Sequence, residues 1–110
     1  MKLNKDTIDG TIVKDTEVYT VIDNTSLNNL VLSKTILKPE RSTSGHSHAG
    51  QEEVYHFTYG HGMMIVGSES FLVGAGDCVL IPDGAFHKVS NTSAIEDLIF
   101  ICVFDGSRDH

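Results

Sequence analysis

The chain has no long hydrophobic run. Apolar residues make up 40% of its 110 residues and come in short stretches. None approaches the roughly 18–20 consecutive apolar residues of a membrane-spanning helix. A basic cluster is missing too. Lys2, Lys5, Lys14, Lys34, Lys38, Arg41, Lys88 and Arg108 are scattered, and 15 acidic against 8 basic residues leave a net charge of -7. Such a surface repels phosphate backbones and anionic lipid, so neither nucleic acid nor membrane is an expected partner. Cysteine is scarce. Cys78 and Cys102 stand far apart in the apolar runs CVLIP and IFICVF. This gives no support to a zinc ribbon or a redox pair, and it predicts two buried, reduced thiols serving as small hydrophobes. The opening MKLNKDTIDG carries no apolar core of a secretory leader, so the expected location is the cytoplasm.

A helical apolar period of any length is also missing, and what is present reads as strands and turns. Alternating or β-branched stretches predict strands at 11–13, 17–22, 29–37, 53–59, 62–67, 69–73, 77–81, 87–91 and 95–104. Pro39, Gly60, the 74–76 turn and Pro82-Asp83-Gly84 separate them. Many short strands at this spacing predict an all-β sandwich or barrel in one domain over 1–110. Closure removes the exposed edges that a small all-β chain must manage. The polar ends 1–7 and 105–110 are expected to fray.

Histidine and glutamate are placed with more pattern. The first stretch reads GHSHAGQEEVYHFTYG and the second GDCVLIPDGAFHKVSN. In an extended chain, residues two apart share a face. His46 and His48 therefore pair on one face, and Glu53 shares a face with Tyr55 and Phe57. Gly50 supplies a turn that returns Glu53 beside the histidines. The Pro82-Asp83-Gly84 turn aims His87 toward them. His46, His48, Glu53 and His87 form a candidate ligand set for one divalent ion, such as Zn, Fe, Mn, Ni or Co. Four protein ligands leave two open positions on an octahedral ion, the mark of a site that can do chemistry. His56 falls on the face opposite Glu53, and His61 sits between glycines in a solvated turn. His110 lies in the polar tail.

These residues resemble the two motifs of the cupin superfamily. The first runs HxH, three or four residues, E, six residues, G, and is matched by His46, His48, Glu53 and Gly60. The second runs G, five residues, PxG, two residues, H, three residues, N, and is matched by Gly76, Pro82, Gly84, His87 and Asn91. The motifs cover about 40–60 and about 76–91, with 15 residues between Gly60 and Gly76. One position departs: the glycine that opens the first motif falls on Glu40. The resemblance implies a small jelly-roll β-barrel with a metal between its sheets, and commonly a homodimer in which N-terminal strands pack on the partner. It also implies a range of activities, among them isomerases, epimerases, dioxygenases, decarboxylases and lyases, and non-catalytic sensor modules.

By strand parity Ser42 and Ser44 should line the pocket with His46 and His48. Val89 and Asn91 should share the face of His87, with Asn91 capping the turn after it, and Lys88 should point away. A small polar ligand is the expected partner, a hydroxy-acid or a carbohydrate-like molecule. Isomerase-like chemistry is the first expectation, a dioxygenase or lyase the second, and a sensor the third. Tyr55 or Glu53 is the expected proton carrier. Any phosphate on the ligand would need Lys34, Lys38 or Arg41.

Overall fold

In the computed structural model, which describes residues 1–106, the short apolar runs become nine strands. These are β1 (Thr11–Asp15), β2 (Tyr19–Asn24), β3 (Leu30–Leu37), β4 (Glu53–Tyr59), β5 (His61–Val66), β6 (Glu69–Gly74), β7 (Cys78–Ile81), β8 (His87–Asn91) and β9 (Leu98–Asp105). All pairings are antiparallel. One sheet has the order β1-β2-β3-β9-β4-β7, and the other β6-β5-β8. The two face each other as an all-β jelly roll. The described residues form no helix long and apolar enough to cross a membrane.

Alternation sets the core. Along β9, Leu98, Phe100, Cys102 and Phe104 are buried while their neighbours are half-buried. The same period places Glu53, Tyr55 and Phe57 inward on β4 and His87, Val89 and Asn91 inward on β8. Phe57, Phe100, Leu37, Met64 and Leu98 form the dense centre, each at most 1% exposed. Burial of such side chains is the main stabilising term of a domain this small.

Several expectations change. The last strand begins at Leu98, and Ile95 is exposed. Ser93 Oγ accepts from the amides of Ile95 and Glu96, which bends that segment into a turn instead of a strand. Cys78 is exposed, whereas Cys102 is buried. Cys78 sits on the outward parity of β7, opposite His56, with Sγ 3.2 Å from His56 Nδ1. The N-terminal arm is tied down. Lys34 Nζ donates to the carbonyls of Lys5 and Asp6 at 3.1 and 2.9 Å. Of the polar tail, residues 107–110, including His110, lie outside the described residues.

Glu40 stands at φ 62°, a left-handed conformation. That backbone costs an L side chain about 1–2 kcal/mol, which is the physical reason for a glycine in the motif this chain resembles. Glu40→Gly is expected to stabilise the protein by about 0.5–1 kcal/mol, because the relief exceeds glycine's extra freedom when unfolded. A urea titration reads this as a higher midpoint. A lower midpoint would mean that the exposed glutamate side chain holds the turn.

Candidate metal centre

β8 starts at His87, just past the turn in which Ala85 N donates to Pro82 O at 3.1 Å. The chain around residues 41–46 runs antiparallel beside β8. Its bonds are Asn91 N to Arg41 O at 2.8 Å, Thr43 N to Val89 O at 2.9 Å, and a reciprocal pair between His46 and His87 at 2.9 and 3.0 Å. His46 and His87 are thus directly opposed, and directly opposed residues point to one face. Asp83 Oδ1 accepts from Gly50 N at 2.6 Å, which ties the loop after His48 to the turn before His87.

This segment is not a regular strand. It makes two isolated bridges, at Ser42 and His46. Gly45 lies at φ 82° between them and breaks the alternation. A side chain there would also collide with the Phe86 ring. The parity therefore shifts by one. Thr43 lines the cavity with His46 and His48, and Ser42 and Ser44 are exposed. Ser42 Oγ donates instead to Ser90 Oγ at 2.8 Å, and Ser44 Oγ lies 3.3 Å from His46 Nε2.

His48, Glu53 and His87 converge, with one ligand atom from each within 4.8 Å of the others. Glu53 and His87 are buried, at 5% and 4% exposure. His46 lines the same cavity but is exposed and stands outside that group, its ring centre 5.7 Å from that of His48 and 6.4 Å from that of His87. Glu52 is exposed, whereas Glu53 lines the cavity.

His87 carries the most informative geometry. Its Nδ1 lies 3.1 Å from the Ala85 carbonyl oxygen, which can only accept. Nδ1 therefore holds a proton, and the lone pair of a neutral ring sits on Nε2. That Nε2 faces Glu53 Oε1 at 3.6 Å. Two lone-pair atoms turned toward each other in a buried site repel unless something positive lies between them. Either a second proton on the ring or a cation meets that need. Donor atoms about 2.1 Å from one ion lie about 3.0–4.2 Å apart, so the 3.6 Å separation fits a shared ion. Two imidazoles and a carboxylate are also the donors a divalent first-row ion prefers.

Tyr55 forms the floor. Its ring stacks on Phe100 at 5.1 Å and meets the edge of His87 at 5.8 Å. Phe57, on the same face, is fully buried in the core behind it. Asn91 caps the turn as expected, accepting from Ser93 N at 2.9 Å and donating to the carbonyls of Leu37 and Glu96. The far wall comes from elements that sequence reasoning left out of the pocket: Lys14, Tyr19, Val21, Ser33 and Thr35 on β1–β3. Ser33 and Thr35 did leave a signal, as small polar residues on the same parity of β3 as the apolar Val31 and Leu37. The lysines that a phosphate on the ligand would have needed are engaged elsewhere. Lys34 holds the N-terminal arm, and Lys38 Nζ donates to Thr16 O at 2.6 Å. Arg41 is exposed and does not line the cavity.

A small antiparallel jelly roll with histidines and a glutamate gathered between its sheets defines a class of β-barrel pocket proteins. Within that class the chain belongs to the cupin family: the cupin domain profile matches residues 33–104. It is 32% identical over 73 residues to the uncharacterized protein MJ1618 of Methanocaldococcus jannaschii. That match covers 66% of this chain and 58% of the relative, so the likeness spans little more than half of the other protein. Among solved structures, TT1209 from Thermus thermophilus is similar at a TM-score of 0.75 and 26% identity, over 83% of this chain and 86% of that one. A protein described as a predicted oxalate decarboxylase from Thermotoga maritima is similar at 0.76 and 22% identity, over 96% and 98%. The latter likeness is one of fold.

Proposed function

We propose that this chain binds one divalent metal ion through His48, Glu53 and His87, with His46 joining from the rim, and acts on a small oxygenated molecule. Isomerase-like chemistry on a hydroxy-acid or carbohydrate-like substrate is the leading reading. The observation that carries it is the buried Glu53–His87 pair, 3.6 Å apart with the His87 proton fixed on the other nitrogen. A divalent ion held there supplies a Lewis acid for a substrate oxygen.

The chain's own residues do the rest. Tyr55 presents the phenol that would carry a proton, on a ring held in place by Phe100. Glu53, engaged as a ligand, is the lesser candidate for that role. The apolar walls of Val21, Phe100 and Phe104 keep bulk water from the reacting end. The cavity volume is small, about 70 Å³. That favours a ligand of a few carbons over a sugar nucleotide.

The test compares three variants with the wild type, each assayed for metal by elemental analysis and for turnover of small hydroxy-acids, ketoses and diols. Glu52→Gln is expected to keep its metal, and Glu53→Gln to lose most of it. Tyr55→Phe is expected to keep the metal and lose turnover by about 100-fold or more, because the ring still fills its space while the proton carrier is gone. Equal metal in Glu53→Gln and wild type would overturn the ligand set. Binding of such a ligand by the metal-loaded wild type without turnover would move the reading to a sensor.

A further inference from the structure

We propose that Lys14 is the specificity residue of this cavity, selecting ligands that carry a carboxylate at the end remote from the His48–Glu53–His87 group. The inference rests on the metal-site reading above and names the ligand class that the site would take.

The carrying observation is a bulge. Along the β1–β2 ladder, Thr11 opposes Asp23 and Ile12 opposes Ile22, but Lys14 opposes Val21 and Asp15 opposes Thr20. Val13 is the inserted residue. Opposed residues share a face, and Val21 faces the cavity, so the bulge turns Lys14 inward. Without it Lys14 would oppose Thr20, whose hydroxyl donates to Asp15 on the outer side at 3.0 Å. Bulges beside functional pockets re-aim side chains in this way.

The position suits a binding charge. Lys14 is half-buried and lines the cavity, with its Nζ 5.8 Å from the centre of the Tyr19 ring. Among the described residues it has no carboxylate within ion-pair distance, and no other lysine or arginine lines this cavity. An inward ammonium on a chain of net charge -7 is a local arrangement, not part of a basic surface. Its three donors and formal charge match a carboxylate, while the metal end takes hydroxyl or carbonyl oxygens. Ser33 and Thr35 line the same cavity, with the Ser33 hydroxyl donating to Asp23 Oδ1 at 2.6 Å.

The experiment uses cobalt-loaded protein and two probes that differ only at the distal end: malate, and 2-hydroxybutyrate, which has a methyl group in place of the distal carboxylate. Calorimetric titration is expected to give malate about tenfold tighter binding than 2-hydroxybutyrate, the worth of one charge-assisted hydrogen bond. Lys14→Met should erase that preference while leaving cobalt content and 2-hydroxybutyrate affinity unchanged. Lys14→Arg should keep the preference. Lys88→Met, which removes the same charge outside the cavity, should also keep it. The same malate preference in Lys14→Met as in wild type overturns the inference. If cobalt does not bind, the metal reading fails on its own, and succinate titrated into metal-free protein decides the lysine. Succinate binding that Lys14→Met abolishes keeps the anchor, and absence of succinate binding removes it.

Discussion

His87→Ala is expected to lower metal affinity by more than about 100-fold, because loss of a partner one step removed from an ion already costs about 10–100-fold. Three features concentrate the effect on this side chain. It is 4% exposed, its Nδ1 proton is held by Ala85 O, and its Nε2 faces Glu53. An imidazole fixed on one nitrogen pays little ordering entropy when the other takes a ligand. His46 differs on each count: it is exposed, and its Nε2 lies 3.3 Å from the Ser44 hydroxyl. His46→Ala should therefore weaken binding by a smaller factor. Competitive titration against a chelator with both variants measures the order, and circular dichroism checks that the sheets survive. A larger loss in His46→Ala than in His87→Ala would mean that the rim histidine, not the buried one, anchors the ion.

Phe100→Ala should destabilise the fold by about 3–5 kcal/mol, the usual cost of removing a fully buried phenyl ring. Phe100 is 1% exposed and contacts both Tyr55 and Phe57, at 5.1 and 5.2 Å between ring centres. It sits midway along β9, which pairs with β3 on one side and β4 on the other. The cavity left behind would lie under the floor of the site, so Tyr55 would lose the ring that orients it. Leu72→Ala serves as the contrast, since Leu72 is 78% exposed and a change there should stay within about 0.5 kcal/mol. Urea unfolding of both variants reads the difference. A Phe100→Ala loss of about 1 kcal/mol or less would mean that the two sheets close over the gap.

Much of the architecture was legible because a strand's period is two. Alternation in EVYHFTY and LIFICVF needs no tertiary information to place Glu53, Tyr55, Phe100 and Cys102 inside. Six residues between Glu53 and Gly60 separated the ligand candidate from Glu52, and of the two Glu53 is the one that is buried. The turn at Pro82-Asp83-Gly84 announced the entry to His87 for a similar reason, since proline and glycine restrict or free a backbone wherever they stand.

By itself, then, the sequence determined the strands, the inward set on each regular strand, and the gathering of histidine and glutamate in one pocket. Only the tertiary structure decided what depends on broken alternation or on which segments meet. Gly45 at φ 82° moved the cavity position from Ser42 and Ser44 to Thr43. The bulge at Val13 turned Lys14 inward. The fold of the N-terminal arm drew Lys34 away to the carbonyls of Lys5 and Asp6. The outward parity of Cys78 became exposure because, among the described residues, no element covers that face of β7. Parity is a local property that fails at each irregular residue, and a one-residue slip reverses every side chain beyond it. Which charge reaches a cavity is fixed by such slips and by long-range pairing, and neither is written in the spacing of the residues concerned.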